Sequence, residues 1–475
     1  LYYPSPVIAP LAWQRRYGDQ RAYSVCGITH TTASDTVMEA FGAFATAPLQ
    51  TWDAVICTSE AVRRTVDHVL AEWRGYLAER LGGAVPDAVR LQLPVIPLGV
   101  DCDAFAPDAS AGQAFRRKLG ISRDAVAALF LGRLTASAKA HPLPMYRGLE
   151  AAARNSGRSV HLMLAGWFEN ESEEAEFRAL AATFAPSVTL HILDGRDAAV
   201  RHDVWSAADF FTSLSDNIQE TFGLTPVEAM AAGKPVVISE WNGYRETMEN
   251  GVHGFMVPTV SMPPGSGREL ASRYRTGEDA YGAYIGRTSQ FTAMDPQAAA
   301  DAYMRIVDDK SLRRQMGDAG RRHARTHFDW SVIIRRYEEL WAELATLRAG
   351  GSEIAATQPN HAADPLRDDP ATLFAHYPSR VLADSDFVET CSDAPGFDKI
   401  AASRLNVLAN RLMLSRKELD ALRAAMSVHG KDDAITVGTL LDTLPAGRHT
   451  TARRTLVWLQ KMGLIRTFAG DRSPR

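Results

Sequence analysis

Residues 220–239 read E-T-F-G-L-T-P-V-E-A-M-A-A-G-K-P-V-V-I-S, directly after a polar S-D-N-I-Q run at 215–219. The pattern predicts a loop, then a helix over 223–232 with Pro226 in its first turn, where a missing N–H costs nothing. Gly233 ends that helix, and 235–239 is a short apolar strand entered through proline. Between Phe222 and Ala232 the single charged residue is Glu228, on a helical face shared with Leu224, Ala231 and Ala232. A carboxylate on an apolar face must find hydrogen-bond donors or lose its charge. Glu220 stands just upstream, beside the free N–H groups of a helix N-terminus, a natural seat for phosphate. The stretch therefore reads as a ligand site at a loop–helix–strand junction.

Outward from it, apolar strand candidates at 127–132, 161–166, 188–193 and 210–214 alternate with helical patterns near 145–155, 171–184 and 197–207. That rhythm implies a parallel sheet covered by helices on both faces. Ligands on such sheets bind beyond the strands' carboxyl ends, where Arg133, Gly166, Asp194 and Glu220 fall. Upstream, 23–31 and 52–57 are short strand candidates, and 35–44 is a helix. A long helix begins at Ser59, its expected N-cap, and runs to about 80. Residues 95–100 read as a strand leading into a crossing between domains. Downstream, 258–287 is a Gly/Ser/Arg-rich insertion, followed by helices near 296–308, 311–326 and 331–347.

The length suggests about three domains, and no apolar run approaches the roughly 18 residues of a membrane-spanning helix. Four dispersed cysteines (Cys26, Cys57, Cys102 and Cys391) show no metal-ligand or disulfide spacing. With no secretory signal at the start, a cytoplasmic location is expected. Residues 350–395 hold five prolines with eight acidic and two basic residues, the composition of a partly extended linker. Residues 396–475 carry 14 Lys+Arg against 7 Asp+Glu, leaving 38 against 49 for the rest of the chain. The basic tail is thus a separate electrostatic object. It shows helical patterns at 397–412, 415–428 and 450–462, a short helix or turn at 437–444, and a strand candidate at 463–470.

The 220–239 stretch resembles the signature of retaining glycosyltransferases of family 4, in which two glutamates eight residues apart frame an F-G turn and an E-A-M-A-x-G-x-P-V unit. Four further segments are similar in the same order, with a fifth at the end: T-W-D-A-V-I-C-T-S-E, V-I-P-L-G-V-D-C-D-A-F, F-L-G-R-L-T-A-S-A-K, W-N-G-Y-R-E-T-M-E-N-G-V-H-G-F-M-V-P and F-D-W-S-V-I-I-R-R-Y-E-E-L. The resemblance covers roughly residues 20–345. It implies an α/β fold of GT-B type, two Rossmann-like domains facing a cleft. The expected division is an acceptor-side domain over 1–105, a nucleotide-sugar-binding domain over 106–330, a crossover helix over 331–349, the linker 350–395 and a small helical domain over 396–475. The chain opens on Leu1, and the family's glycine-rich first loop is not recognisable, so the first domain is expected to be incomplete.

Residue by residue, the resemblance implies that Glu228 accepts hydrogen bonds from the donor's ribose and that Glu220 binds hydroxyls of the donor sugar. Gly132 and the backbone of Phe222, Gly223 and Leu224 would help hold sugar and phosphate. Arg133 and Lys139 would neutralise the departing diphosphate, and His30 would approach the sugar from the opposite wall. Two protein cations would stand in for a metal, so neither metal nor other cofactor is expected. The family has glycine where this chain has Thr221. Asp194-Gly195-Arg196 reads as a plain turn, and Arg245 and Glu246 as residues that cap and anchor a helix. The partners implied are a nucleotide-sugar and an acceptor of undefined class. In outline 396–475 resembles a winged helix, with Arg448, Arg453, Arg454 and Lys461 as its basic residues, so nucleic acid is a minor expectation. A non-catalytic nucleotide-sugar sensor is the alternative from a different functional class, and a GT-B epimerase a weaker third.

Overall fold

The computed structural model describes residues 1–83, 91–391, 396–409, 411–428 and 435–469, which fall into two compact units, Leu1–Pro365 and Leu366–Arg475. In the first part of the larger unit, strands β1 (Cys26–Ile28) and β2 (Ala54–Ile56) pair in parallel. Tyr2 bridges Cys26 on one side, and Gln92 and Val95 bridge Ala54 and Cys57 on the other, all in parallel. Both strands are apolar and fully buried, as a parallel sheet covered on both faces requires. The stretch 95–100 forms isolated bridges and no strand: Pro94 and Pro97 remove two donors from the ladder. Helix Glu60–Leu81 begins as the sequence implies, with Ser59 Oγ accepting from the Val62 N–H at 3.2 Å.

The second part carries six parallel strands: β3 (Val126–Leu131), β4 (Val160–Gly166), β5 (Val188–Asp194), β6 (Phe210–Ser213), β7 (Val236–Ser239) and β8 (Gly254–Val257). Their order is β5-β4-β3-β6-β7-β8. Alternate residues of β3 enter two cores: Val126, Ala128 and Phe130 face one, Ala127 and Leu129 the other. Only β8 lay outside the expected set. The chain winds from β3 out to β5 and then returns to place β6 on the other side of β3. This reversal opens a crevice at the carboxyl ends of β3 and β6, where such sheets bind ligands.

The insertion after Pro258 is more regular than its composition suggests. Strands Thr259–Ser261 and Thr292–Met294 pair antiparallel around helices Arg268–Arg275 and Tyr281–Ser289. Helix Arg268–Arg275 buries none of its residues, so no apolar stripe marked it in the sequence. Helix Trp330–Gly350 returns to the first half, where Ile333, Tyr337, Leu340 and Leu344 pack with Cys26, Ile28, Ala54 and Ile56. The α/β chain with its six-stranded parallel sheet and a helix returning to the first half is the GT-B-type architecture expected.

The smaller unit has a three-stranded antiparallel sheet with Phe387–Thr390 between Ile435–Thr436 and Ile465–Phe468. Helices Arg416–Val428, Val437–Leu441 and His449–Lys461 cover it, with Val388, Leu422, Leu440 and Leu456 in the core. Its central strand comes from the stretch read as linker, because Val388 is needed to close that core. The 397–412 pattern forms a short helix, Phe397–Ala401, and a 3₁₀ turn, Arg404–Ala409. Parts of the expected linker, helix and strand at 392–395, 410 and 470 lie outside the described residues. Arg448 binds Glu418 through two nitrogens at 2.6 and 2.8 Å, and Arg453 binds Asp384 likewise at 2.9 and 2.7 Å. Among the described residues no helix is long and apolar enough to cross a membrane.

Candidate functional site

The loop after β3 and the loop after β6 meet in the crevice. Lys139 Nζ donates to Glu220 Oε2 at 2.6 Å, with side-chain exposures of 18% and 16%. Burial pushes the Glu220 carboxyl up, but Lys139 and the backbone N–H groups of Thr221 and Phe222 outweigh it and hold the group below its ordinary value. Burial also works against the Lys139 ammonium, and Tyr244 and Glu220 beside it reverse that, leaving its pKa raised. Both partners are charged at neutral pH.

Tyr244 is a residue the sequence reading missed as part of the site. Its ring is fully buried, its hydroxyl lies 3.1 Å from Ser213 Oγ, and Lys139 Nζ stands 5.8 Å from the ring centroid. The ring also explains Gly223, whose φ is 108° and where a Cβ would meet Tyr244 at 2.4 Å. Only glycine fits there, and helix Leu224–Ala231 starts from it. Phe222 is buried against Phe328 with ring centroids 5.8 Å apart, while Leu224 is exposed.

Gly132 and Arg133 follow β3. Arg133 has no ion-pair or hydrogen-bond partner among the described residues and borders a small hollow with Thr135, His141 and Pro142. Glu228 projects from the helix into a cavity of about 320 Å³ lined also by Phe105, Leu131, Arg201 and Trp205. Burial pushes its carboxyl up to about 7, with Lys139 and Arg201 pulling the other way. Asp194 forms a turn, accepting from the Arg196 backbone N–H and guanidinium at 2.9 Å.

The opposite wall belongs to the first half. His30 follows β1 and exposes its side chain, and its carbonyl accepts from Thr221 Oγ1 at 3.0 Å. Ser59 Oγ donates to the Thr221 carbonyl at 2.7 Å. Glu246 does cap a helix, but one across the cleft: it accepts from the N–H groups of Glu60 and Ala61 at 2.6 and 2.9 Å. These contacts join residues more than 160 positions apart, and no local pattern announces them.

A two-half α/β chain whose crevice gathers a paired lysine and glutamate, an arginine without a partner among the described residues and a glycine-started helix can seat an anionic ligand. Residues 113–262 match the family model for glycosyl transferases group 1, so this half is a glycosyltransferase domain. The chain is 26% identical over 267 residues to D-inositol 3-phosphate glycosyltransferase of Corynebacterium efficiens, covering 56% of this chain and 54% of that protein. It is 32% identical over 281 residues to the enzyme of the same name from Saccharomonospora viridis, covering 58% and 55%. The match thus spans about half the length of these curated relatives. Among solved structures, Anabaena Alr3699/HepE in complex with UDP aligns over 72% of this chain and 78% of that one, at 18% identity and a TM-score of 0.49.

Proposed function

We infer that the chain is a retaining glycosyltransferase that moves a sugar from a nucleotide-sugar to an acceptor hydroxyl. The observation that carries this reading is the Lys139–Glu220 pair at the topological switch point, with Arg133 following β3 on the same loop as Lys139, inside the glycosyltransferase domain. In the transfer, the bond from the anomeric carbon to the diphosphate breaks and a bond from the acceptor oxygen forms. Negative charge gathers on the departing diphosphate, and cations fixed in advance stabilise that charge more in the transition state than in the ground state. Arg133 and Lys139 supply two such cations, so no metal is called for. Glu220 would hold sugar hydroxyls and Glu228 the ribose. On a same-face route the departing phosphate oxygen takes the acceptor's proton, which needs no enzymic nucleophile and retains configuration.

The test is a thermal-shift panel of UDP-, GDP- and ADP-sugars against the full chain. Stabilisation by one nucleotide class names the donor and is the expected result. No shift with any nucleotide or nucleotide-sugar overturns the reading. The smaller unit supports a second role less well: Arg448 and Arg453 are already committed to Glu418 and Asp384, which leaves Arg454 and Lys461 to meet a phosphate backbone.

A further inference from the structure

The lysine that faces Glu220 sits on an irregular loop, and that loop's position is written in the polar run just ahead of Glu220. Ser215 Oγ donates to the Lys139 carbonyl at 3.2 Å. Asp216 Oδ2 accepts from the His141 N–H at 3.2 Å. Asn217 Nδ2 donates to the Ser137 carbonyl at 2.7 Å, and Gln219 Nε2 donates to the Ala138 carbonyl. Four side chains within five residues thus engage four backbone groups within five residues of the opposite loop. The loop's own backbone–backbone bonds are fewer: Lys139 and Ala140 N–H both donate to the Thr135 carbonyl, at 3.1 and 3.3 Å.

The run itself is held in turn. Asn217 is buried, its Oδ1 accepts from the Gln219 N–H at 3.0 Å, and its carbonyl accepts from Trp241 Nε1 at 3.0 Å. The Ser215 carbonyl accepts from Ser239 Oγ at 2.6 Å. A ligand group is effective only when its own carrier is fixed by surrounding hydrogen bonds, and here the carrier is fixed from the same segment that ends in Glu220. The two partners of the ion pair are therefore set against each other by one template.

We propose that Asn217, with Ser215 and Gln219, is a positioning residue that acts through Lys139 by clamping its loop against the Glu220 segment. The proposal rests on the donor-site reading for the group that Lys139 serves. Its consequence is selective: loss of the clamp weakens recognition of the donor's diphosphate and spares recognition of its nucleoside. Asn217→Asp keeps the oxygen that accepts from Gln219 and replaces the donor to Ser137 with an acceptor. Ser215→Ala is the milder variant, removing one hydroxyl from the same clamp.

The experiment measures binding of UDP, GDP and ADP, each beside its parent nucleoside, to the full chain and to Asn217→Asp, Ser215→Ala, Lys139→Ala and the Asn217→Asp/Lys139→Ala double variant. Hydrogen exchange at the amides of 138–141 is followed in parallel. The expected result is a roughly ten- to hundredfold loss for the recognised diphosphate in Asn217→Asp, the scale on which a displaced group acts. The nucleoside's affinity stays unchanged, and the loss vanishes in the Lys139→Ala background, as a shared pathway requires. Faster exchange at 138–141 accompanies it, and Ser215→Ala moves both readouts the same way by less. Equal losses for diphosphate and nucleoside, additivity with Lys139→Ala, or unchanged exchange at 138–141 overturns the proposal. If the wild-type chain binds none of the nucleotides, the donor reading fails, and exchange at 138–141 still decides whether Asn217 clamps the loop.

Discussion

Thr221 Oγ1 donates to the His30 carbonyl at 3.0 Å, and the Thr221 carbonyl accepts from Ser59 Oγ at 2.7 Å. One residue thus holds both sides of the cleft together at the floor of the site. The resembling family places glycine here, which has no hydroxyl to offer. Thr221→Val keeps the volume and removes only the donor, while Ser59 retains its acceptor. A hydrogen bond of this kind contributes about 1 kcal/mol, so the local opening equilibrium should shift by about fivefold. Hydrogen exchange at the amides of 221–224 should quicken by that factor, with β3 and β4 unchanged. Unaltered exchange would show that the contact does not hold the cleft.

Among the described residues Arg133, at the carboxyl end of β3, has no ion-pair or hydrogen-bond partner, and Glu220 is the carboxylate held charged by Lys139. If they face the departing diphosphate and the donor sugar, Arg133→Ala and Glu220→Gln should each lower turnover by about 10²-fold or more, the scale of losing one preorganised electrostatic contact. The measurement is steady-state transfer and donor hydrolysis with the donor named by the thermal-shift panel. Near-unchanged rates in both variants would remove these residues from the site.

Much of the second half was legible in its sequence because its signals are local. Gly223, Pro226, Gly233 and Pro235 punctuate a helix–strand unit within one window, and β3 to β7 are short apolar runs between helical patterns. What escaped is held by distant partners. The three-residue strand Thr259–Ser261 pairs with Thr292–Met294 across two polar helices, and Phe387–Thr390 becomes a central strand only because Ile435–Thr436 and Ile465–Phe468 flank it. The site divides in the same way. Glu220 and Glu228 stand out as carboxylates near a helix start, whereas Tyr244 reads as an ordinary buried aromatic until its ring is seen against Gly223 and Lys139.

The Glu228 carboxyl, pushed up by burial to about 7 from its ordinary 4.5, sets a pH dependence. Between those values the folded chain holds a proton that the unfolded chain has released, so its contribution to stability falls as pH rises through that window. Asp216, raised to about 7 by burial, acts with the same sign and remains in any Glu228 variant. The difference between wild type and Glu228→Gln therefore isolates Glu228. The variant's thermal midpoint should exceed that of wild type at about pH 8 and converge with it near pH 4.5, where both side chains are neutral. A difference independent of pH would mean that the carboxyl titrates normally in the fold.

The first half depends on a charge pair with no solvent exposure. Arg15 meets Asp53 through two bonds of 2.7 Å, both side chains 0% exposed. Asp53 also accepts from the backbone N–H groups of Val25 and Gln50, each at 2.8 Å, and Arg15 donates to the Tyr23 carbonyl at 2.7 Å. The carboxylate thus fastens the entry to β1 and the turn before β2 as well as its counter-ion. Asp53→Asn strands a buried guanidinium and turns an amide donor toward other donors, a change costing about 3–5 kcal/mol. The damage should be confined to the first half: exchange at residues 24–57 rises steeply while β3, β4 and β6 stay protected. Replacing both partners, as Arg15→Met with Asp53→Asn, relieves the uncompensated charge but still leaves Val25 or Gln50 without a full acceptor. It should therefore recover only part of the loss. Full recovery would show that the pair serves itself alone, and no loss in Asp53→Asn would show that the turn before β2 does not need it.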